Sequence, residues 1–229
     1  MEANNPPVIG TLGEKTLHAA IKSRLSPDPA THEVRLGPYV ADIYTGDRIF
    51  EVQTGQFYRL KNKLSTFLAA CPVTVVYPIA ETKRLYWIDV ETGEITGGRL
   101  SPKKELPVAI LPELYQLGPL AFSKGLSFWV IPAEIEEFRY LNGWSKDGKK
   151  GSSRCDRIPL SFGQTVKIET PADCRALLPD LGDPFTQKEF AKAAKLSPRK
   201  AWYALQFLQA HDTLLRAGEK GRAFLFTVK

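Results

Sequence analysis

Apolar residues recur with helical spacing in two stretches of the first third of the chain. The first stretch, residues 11–25, opens with a Thr-x-x-Glu sequence of capping-box form and then places an apolar residue at every fourth position. Those positions are Leu17, Ile21 and Leu25. The second stretch, residues 58–70, carries an apolar face made of Leu60, Leu64, Phe67 and Leu68. The pattern predicts one amphipathic helix in each stretch.

Around these helices the pattern changes to short runs of aromatic and β-branched residues, which favour strands. We predict strands at residues 32–36, 39–44, 48–54 and 73–77, the last being a continuous apolar run typical of a strand covered on both faces. The resulting order is α-β-β-β-α-β, and residues 81–140 are predicted to add further strands. The chain is therefore expected to have a mixed α/β (α+β) fold.

Gly46-Asp47 lies between the second and third predicted strands and suits a two-residue hairpin loop with glycine at its first central position. If this loop sets the register, Asp42 faces Glu51 and Val40 faces Gln53. Two opposed carboxylates destabilise a strand pair unless a cation neutralises them. A hard divalent cation, which prefers carboxylate and amide oxygens, would do so. The hairpin therefore indicates a metal site, and an ordinary solvent-facing hairpin with two acidic residues is the alternative.

The sequence Asp42-x8-Glu51-Val52-Gln53, within the α-β-β-β-α-β order, resembles the PD-(D/E)XK (restriction endonuclease-like) nuclease superfamily over roughly residues 11–80. The resemblance implies that Asp42 and Glu51 bind Mg²⁺ or Mn²⁺ together with the backbone carbonyl of Val52. It also implies that Glu14, on the first helix, reaches the metal, whereas the alternative is that Glu14 caps its own helix. The superfamily usually has lysine where this chain has Gln53. That variant resembles some type II restriction endonucleases, and Gln53 would orient the attacking water.

Two lysines at the start of the second predicted helix could supply the positive charge that Gln53 lacks. Such migration of the lysine is known in the superfamily, and Lys63 is preferred because Lys61 lies closer to the Leu60–Leu64 edge. The alternative is that both lysines belong to the solvated face of an amphipathic helix. His18 is expected to be a partly buried polar contact rather than a metal ligand.

Two further expectations concern the part of the chain that follows. Glu134, Glu136 and Glu137 fall in a β-like stretch, residues 127–140, and are expected to line a solvated strand face. Residues 142–157 are rich in Gly, Ser and Lys, with five basic and two acidic residues, and are expected to form a mobile loop.

Charge is distributed unevenly along the chain. The net charge is +6, and residues 186–229, with nine Lys/Arg and three Asp/Glu, account for all of it. A basic segment on a neutral body indicates a polyanionic partner.

This basic segment also carries well-defined helix and turn signals. Thr186-x-x-Glu189 is a capping box, Ser197-Pro198 supplies an N-cap and a first-turn proline, and strands are predicted on both sides of residues 218–222. Two helices followed by a glycine-rich basic hairpin resemble the winged helix-turn-helix family. The resemblance implies DNA binding by the start of the second helix and by the hairpin, through Arg199, Lys200, Tyr203, Lys220 and Arg222. A winged helix that binds protein is the alternative.

Composition excludes several classes of protein. The 229 residues are 43% hydrophobic and 24% charged, which is typical of a globular chain, and no apolar run approaches the ~20 residues that span a bilayer. The first residues have neither a basic start nor an apolar stretch, so no signal peptide is expected. Cys71, Cys155 and Cys174 form no Cys-x-x-Cys pair, which fits reduced thiols in a cytoplasmic protein and gives no zinc site.

These patterns and resemblances predict two domains: a nuclease-like domain with a β-rich extension at residues 1–180, and a winged-helix domain at residues 181–229. The predicted function is a metal-dependent DNA endonuclease that hydrolyses phosphodiester bonds. A non-catalytic DNA-binding regulator on a degenerate nuclease fold and a protein-binding scaffold are the alternatives. A homodimer is left open.

Overall fold

The computed structural model describes residues 16–144 and 150–229. Its β-strands, numbered along the chain, are β1 (His32–Leu36), β2 (Tyr39–Tyr44), β3 (Ile49–Val52), β4 (Val73–Ile88), β5 (Ile95–Leu100), β6 (Leu126–Trp144), β7 (Lys150–Phe162), β8 (Val166–Ile168), β9 (Phe185–Thr186), β10 (Leu214–Lys220) and β11 (Ala223–Val228). Its α-helices are α1 (Thr16–Leu25), α2 (Lys61–Leu68), α3 (Leu111–Leu117), α4 (Pro171–Arg175), α5 (Gln187–Ala193) and α6 (Pro198–Ala210). The predicted start of the first helix, Thr11, lies outside the described residues.

Within this part of the chain, eight strands form one mixed sheet of order β1-β2-β3-β4-β6-β7, with β5 pairing with β4 and β8 with β6. The β1–β2 and β2–β3 pairs are antiparallel, whereas β3–β4 and β4–β6 are parallel. The mixed α+β class predicted from the sequence is confirmed. The first six regular elements also follow the predicted order, since α1 precedes β1 to β3 and α2 lies between β3 and β4.

Helices cover both faces of the sheet, which explains why its central strands are apolar on both sides. On one face, Leu17 and Ile21 of α1 pack against Ile43, Phe50 and Ile131. The other face is covered by α2, α3 and the C-terminal helices, with these buried residues: Leu64, Phe67, Leu111, Leu114, Phe190 and Leu205.

Strand β4 is much longer than the five-residue strand predicted from residues 73–77. It continues through Pro78 to Ile88 and pairs with β6 over its whole length. Proline lacks the N–H that a ladder needs, so it normally interrupts a central strand. Here the last β3–β4 pair is Val52–Val76, so Pro78 lies beyond the end of β3, where no β3 carbonyl requires its N–H.

The expected mobile loop at residues 142–157 is wrong for most of its length. Residues 142–144 belong to β6 and residues 150–157 to β7, and the pairing reaches Gly143–Gly151 and Trp144–Lys150. Residues 145–149 lie outside the described part of the chain. The expected solvated glutamate face is also wrong at Glu137, whose exposed fraction is 0%.

Helix α3 was not predicted, because residues 81–140 were expected to contain only strands. Its apolar residues are buried almost all round, and Pro112 lies in its first turn. A short apolar run of this kind has no clear period and so does not distinguish a buried helix from a strand.

The C-terminal segment forms two helices and a three-stranded sheet of order β10-β11-β9. Helix α5 begins after the Thr186 capping box and α6 after the Ser197 N-cap, as predicted. Helix α6 packs on α3, and the hydrophobic core is continuous from the large sheet to Leu205 and Phe226. Among the described residues, no helix is long and apolar enough to cross a membrane.

Candidate active site

The β2–β3 hairpin has the predicted register. Thr45 N donates to Arg48 O over 3.0 Å across the turn, and Gly46 has a φ of 93°, a left-handed conformation that suits glycine. The paired residues are Ile43–Phe50 and Tyr44–Ile49. The next opposed pair along the two strands is Asp42 and Glu51, as the loop predicted.

At this next pair, side-chain carboxylates replace the backbone ladder. Asp42 N donates to Glu51 Oε1 over 3.1 Å, and Val52 N donates to Asp42 Oδ2 over 2.7 Å. Each strand thus uses its acidic side chain to satisfy a backbone amide of the other strand. Both carboxylates are largely buried, because the side-chain exposure is 15% for Asp42 and 3% for Glu51.

Two basic side chains lie beside the carboxylates. His18 Nε2 from α1 is 3.1 Å from Asp42 Oδ2, and Lys63 Nζ from α2 is 2.5 Å from Glu51 Oε2. Of the two candidate lysines, the structure therefore brings Lys63 to the carboxylates, whereas Lys61 is exposed. The expectation that His18 is a partly buried polar contact agrees with its 31% side-chain exposure and its bond to Asp42.

The two carboxyl groups are shifted in opposite directions. Burial alone would raise the pKa of Asp42, but the hydrogen bonds from His18 and the Val52 amide and the charge of Lys63 outweigh it, so the pKa is lowered. Burial and the nearby charge of Asp42 raise the pKa of Glu51 to about 7, in spite of Lys63. Two carboxyl groups in one buried space behave in this way because two negative charges close together repel each other, so ionising both is unfavourable.

The third motif residue, Gln53, follows the end of β3. Its backbone N–H donates to Val76 O over 2.9 Å, and its side-chain Nε2 donates to Gly55 O over 2.5 Å. Its amide group is therefore engaged with the loop after β3. Glu14, the remaining predicted ligand, lies outside the described residues.

The donor set at this hairpin is small. Within residues 16–144 and 150–229, no group of three or more His, Cys, Asp and Glu side chains is placed so that it could hold a metal ion together. A divalent cation here would depend on Asp42, Glu51 and backbone or solvent oxygens, which are the hard ligands that Mg²⁺ accepts.

Comparison with known families matches residues 15–169 of the chain to a domain of unknown function, DUF8091. The match covers more than half of the chain. The chain belongs to the DUF8091 family. No curated protein matches it, and no solved structure matches it.

The DUF8091 segment contains the hairpin, α2, α3 and the long strands β4, β6 and β7, and it ends before α4. Two buried acidic residues of this segment, Glu113 and Glu137, were missed as functional candidates. Glu113 Oε2 accepts from Phe57 N over 3.4 Å, next to the loop that holds Gln53. The basic residues Arg154 and Arg157 could have indicated that Glu137 has charged partners. This signal was missed because residues 142–157 were interpreted as a loop and not as a strand beside β6.

The predicted DNA-binding residues at the start of α6 lie beside the DUF8091 segment. Tyr203 stacks on Tyr115 of α3 with ring centroids 5.0 Å apart, and Lys200 Nζ lies 3.8 Å from Glu113 Oε1. Arg199 is exposed and donates from Nε to the Tyr203 hydroxyl over 3.0 Å. At the start of α6, Lys200 and Tyr203 therefore contact α3, whereas Arg199 is exposed to solvent.

The two predicted hairpin residues are exposed: Lys220 is the last residue of β10, and Arg222 lies in the turn between β10 and β11. Arg222 also lines a groove of about 640 Å³ between the C-terminal helices and β11. Two partly exposed aromatic side chains, Trp202 and Phe224, contribute to the same groove, with exposures of 42% and 47%.

Proposed function

We propose that this chain is a metal-dependent DNA endonuclease whose site is formed by Asp42, Glu51 and Lys63. The observation that carries the proposal is the pair of buried carboxylates at the end of the β2–β3 ladder, with Lys63 Nζ 2.5 Å from Glu51 Oε2. The α-β-β-β-α-β order of the elements that hold this pair supports the relation to PD-(D/E)XK nucleases.

The residues present fit a Mg²⁺ or Mn²⁺ ion. Asp42 and Glu51 supply hard oxygen donors, and the Val52 carbonyl at the end of β3 is the third proposed ligand. Glu51 has a pKa of about 7 because of burial and the charge of Asp42, so a nearby cation would favour its ionised form. When bound, the ion supplies a positive charge that offsets the charge developing on the scissile phosphate.

Lys63 is the proposed replacement for the lysine that the motif lacks at Gln53. The Lys63 ammonium lies within hydrogen-bonding distance of Glu51, and 20% of the Lys63 side chain is exposed. A phosphate bound at the hairpin could therefore reach it. Lys63 would donate to a phosphate oxygen, and Gln53 would orient the attacking water from the adjacent loop. The positive charge is then supplied by α2 rather than by the residue that follows β3.

The C-terminal segment is the proposed DNA-binding module. Its net charge of +6 and the exposure of Arg199, Lys220 and Arg222 support contacts with phosphates. We retain the winged-helix interpretation for the helices α5 and α6 and the β10–β11 hairpin, with Lys200 and Tyr203 as the further predicted contacts.

A non-catalytic DNA-binding regulator is the second candidate. It is favoured by the hydrogen bonds that occupy the motif residues, because Asp42 and Glu51 each accept from a backbone amide and Gln53 bonds to Gly55. Such bonds would hold the hairpin together without any metal.

Nicking of a supercoiled plasmid separates the two candidates. The purified chain is expected to convert the plasmid to open-circular or linear DNA with Mg²⁺ or Mn²⁺ and to leave it intact with EDTA. Asp42→Asn should abolish cleavage while binding of the plasmid persists. If the wild-type chain binds DNA but cuts nothing with either metal, the regulator is the correct interpretation.

A further inference from the structure

Among the described residues, four cationic side chains converge on Glu137, a β6 residue whose exposed fraction is 0%. Arg139 approaches its carboxylate to 2.5 Å, Arg157 to 3.0 Å, Lys83 to 3.4 Å and Arg154 to 3.8 Å. These five residues, which we call the Glu137 cluster, lie in the β-rich extension and take no part in the proposed metal site.

The strand register explains the convergence. Glu137 pairs with Arg157 on β7, and Lys83 on β4 pairs with Ile135, two residues before Glu137. A bulge after Phe138 then places Arg139 opposite Arg154. Like charges that face each other across two strands are destabilising, so this arrangement needs a compensating negative charge.

Glu137 does not supply enough negative charge. One carboxylate neutralises one of the four cations, and three positive charges remain. Burial would raise the pKa of Glu137, but Arg157, Lys83 and Arg139 lower it to about 2. Glu137 is therefore ionised, and its single negative charge is the one set against the four cations. Burial lowers the pKa values of Lys83 and Arg154, and the nearby positive charge of Arg157 lowers them further. The negative charge of Glu137 raises both values but does not outweigh these effects.

Among the described residues, Asp156 and Glu136 alternate with Arg157 and Glu137 along their strands and therefore face the other side of the sheet. Asp156 accepts from the backbone N–H of Thr16, and Glu136 accepts from the Tyr86 hydroxyl. Glu105, which lies close enough to raise the pKa of Lys83, uses its carboxylate to accept from Ala80 N. Even with Glu105 included, the cluster keeps an excess of two positive charges.

We propose that the Glu137 cluster binds a backbone phosphate of the nucleic acid. Arg154 and Arg139 are the exposed members, with 40% and 32% of their side chains accessible, whereas Lys83 and Arg157 are more deeply buried beside Glu137. Guanidinium groups match the geometry of phosphate oxygens and can form two parallel hydrogen bonds to them. The anion chemistry follows from the cluster itself, and its assignment to nucleic acid rests on the proposed function.

Strand β4 relates the cluster to the proposed metal site. Val76 pairs with Val52, next to the metal site, and Lys83 lies seven residues farther along β4. At a rise of about 3.3 Å per residue this separation is roughly 23 Å, or about seven base pairs of duplex DNA. One bound duplex that extends about seven base pairs from the metal site is therefore long enough to reach the cluster.

The test measures DNA binding without cleavage. A fluorescein-labelled 30-base-pair duplex and the matching single strand are titrated with the full-length chain in EDTA at several salt concentrations. The Arg139→Gln, Arg154→Gln double variant is expected to lose at least about five-fold in affinity at low salt. The slope of log affinity against log salt should become shallower by about 1, since each lost phosphate contact contributes ~0.9 on duplex DNA.

The matched control removes two exposed cations elsewhere through Lys124→Gln and Arg175→Gln. It should retain the wild-type slope. If the cluster variant and this control behave alike, the assignment of the cluster is overturned. If the wild-type chain binds neither probe, the proposed function itself fails and the assignment to nucleic acid fails with it.

Folding does not obscure this result. The double variant relieves like-charge repulsion and leaves Lys83 and Arg157 on Glu137 Oε2. It also removes the two hydrogen bonds from Arg139 to the buried Oε1, so its unfolding midpoint is expected to fall below the wild-type value, and binding is compared at a temperature where both chains are folded. If the double variant does not fold, Arg154→Gln alone serves the same purpose, because Arg154 makes the longest of the four contacts, at 3.8 Å. That single variant should still weaken binding and lower the slope, and an unchanged slope would overturn the assignment.

Discussion

At the residue scale, Asp42 and Glu51 show how two buried acids on neighbouring strands are held by backbone amides and basic side chains. Each carboxylate accepts a backbone N–H of the opposite strand, and each has a basic neighbour, His18 or Lys63. The two carboxyl groups nevertheless differ in acidity, because the pKa of Asp42 is lowered and that of Glu51 is raised to about 7. Glu51 is therefore the residue whose ionisation should depend on what binds at the site.

Glu51→Gln should remove a pH-dependent loss of stability. The pKa of Glu51 is raised from 4.5 to about 7, so the protonated carboxyl stabilises the fold below pH 4.5 and this contribution is lost as the pH rises through about 7. In EDTA, the free energy of unfolding of the wild-type chain should fall between pH 5 and 8 by on the order of 2 kcal/mol relative to the variant. Urea unfolding at the two pH values measures this difference.

The titration of Asp42 does not interfere with the comparison between pH 5 and 8. Its pKa is lowered from 3.8, so its contribution is present above that pH and is lost only in more acidic solution. The same pH dependence in wild type and Glu51→Gln would show that Glu51 is not the group that titrates.

Lys63→Ala should reduce cleavage by roughly 100-fold, the usual order of effect when one donor to the charge developing on the substrate is removed, and should change metal affinity little. Lys61→Ala is the matched control, since Lys61 lies on the same helix but is exposed. Initial rates of plasmid nicking at saturating Mg²⁺ measure both variants. Equal rates for Lys63→Ala and the wild-type chain would make Lys63 a structural partner of Glu51 only.

At the scale of elements, the sequence was most informative where short-range chemistry decides the structure. Gly46-Asp47 fixed the hairpin register, and the capping residues Thr186 and Ser197 located the starts of α5 and α6. Those signals act within a few residues, so they could be interpreted without knowledge of the rest of the fold.

The errors arose where long-range packing overrides local pattern. Pro78 lies inside β4 because β3 has already ended beside it, and the Gly/Ser-rich residues 150–157 are a strand because β6 pairs with them. Glu137 is buried because β4 and β7 bring cations to it from 54 and 20 residues away in sequence. The proximity of Lys63 to Glu51 was weighed as one of two options, since the helix pattern does not fix the distance between α2 and β3.

Leu114→Ala tests the contact between α3 and the C-terminal helices. Leu114 is 0% exposed in the core that joins the large sheet to α6. Its truncation should lower the free energy of unfolding by about 2–5 kcal/mol, and the body and the C-terminal segment should still unfold in one transition. Circular dichroism and tryptophan fluorescence, followed together in urea, measure this, and two separate transitions would contradict the shared core.

At the scale of the whole molecule, positive charge occurs in two places with different origins. The C-terminal segment is basic in sequence, with all of the net +6, whereas the Glu137 cluster arises only when β4, β6 and β7 are paired. The proposed metal site lies on the same large sheet as the cluster, and α3 joins that sheet to α6. A duplex that contacts both basic regions would be bound by the C-terminal segment and by the large sheet that carries the proposed metal site.

The most direct test of the account is calorimetric titration of Mn²⁺ into the full-length chain at pH 7, in two buffers with different ionisation enthalpies. We expect one site, with release of about half a proton as Glu51 ionises, because its pKa is about 7. The Asp42→Asn, Glu51→Gln double variant should lose both the binding heat and the proton release, whereas the exposed control Glu91→Gln should retain them. Undiminished Mn²⁺ binding and proton release in the double variant would contradict the assignment of the metal to this hairpin.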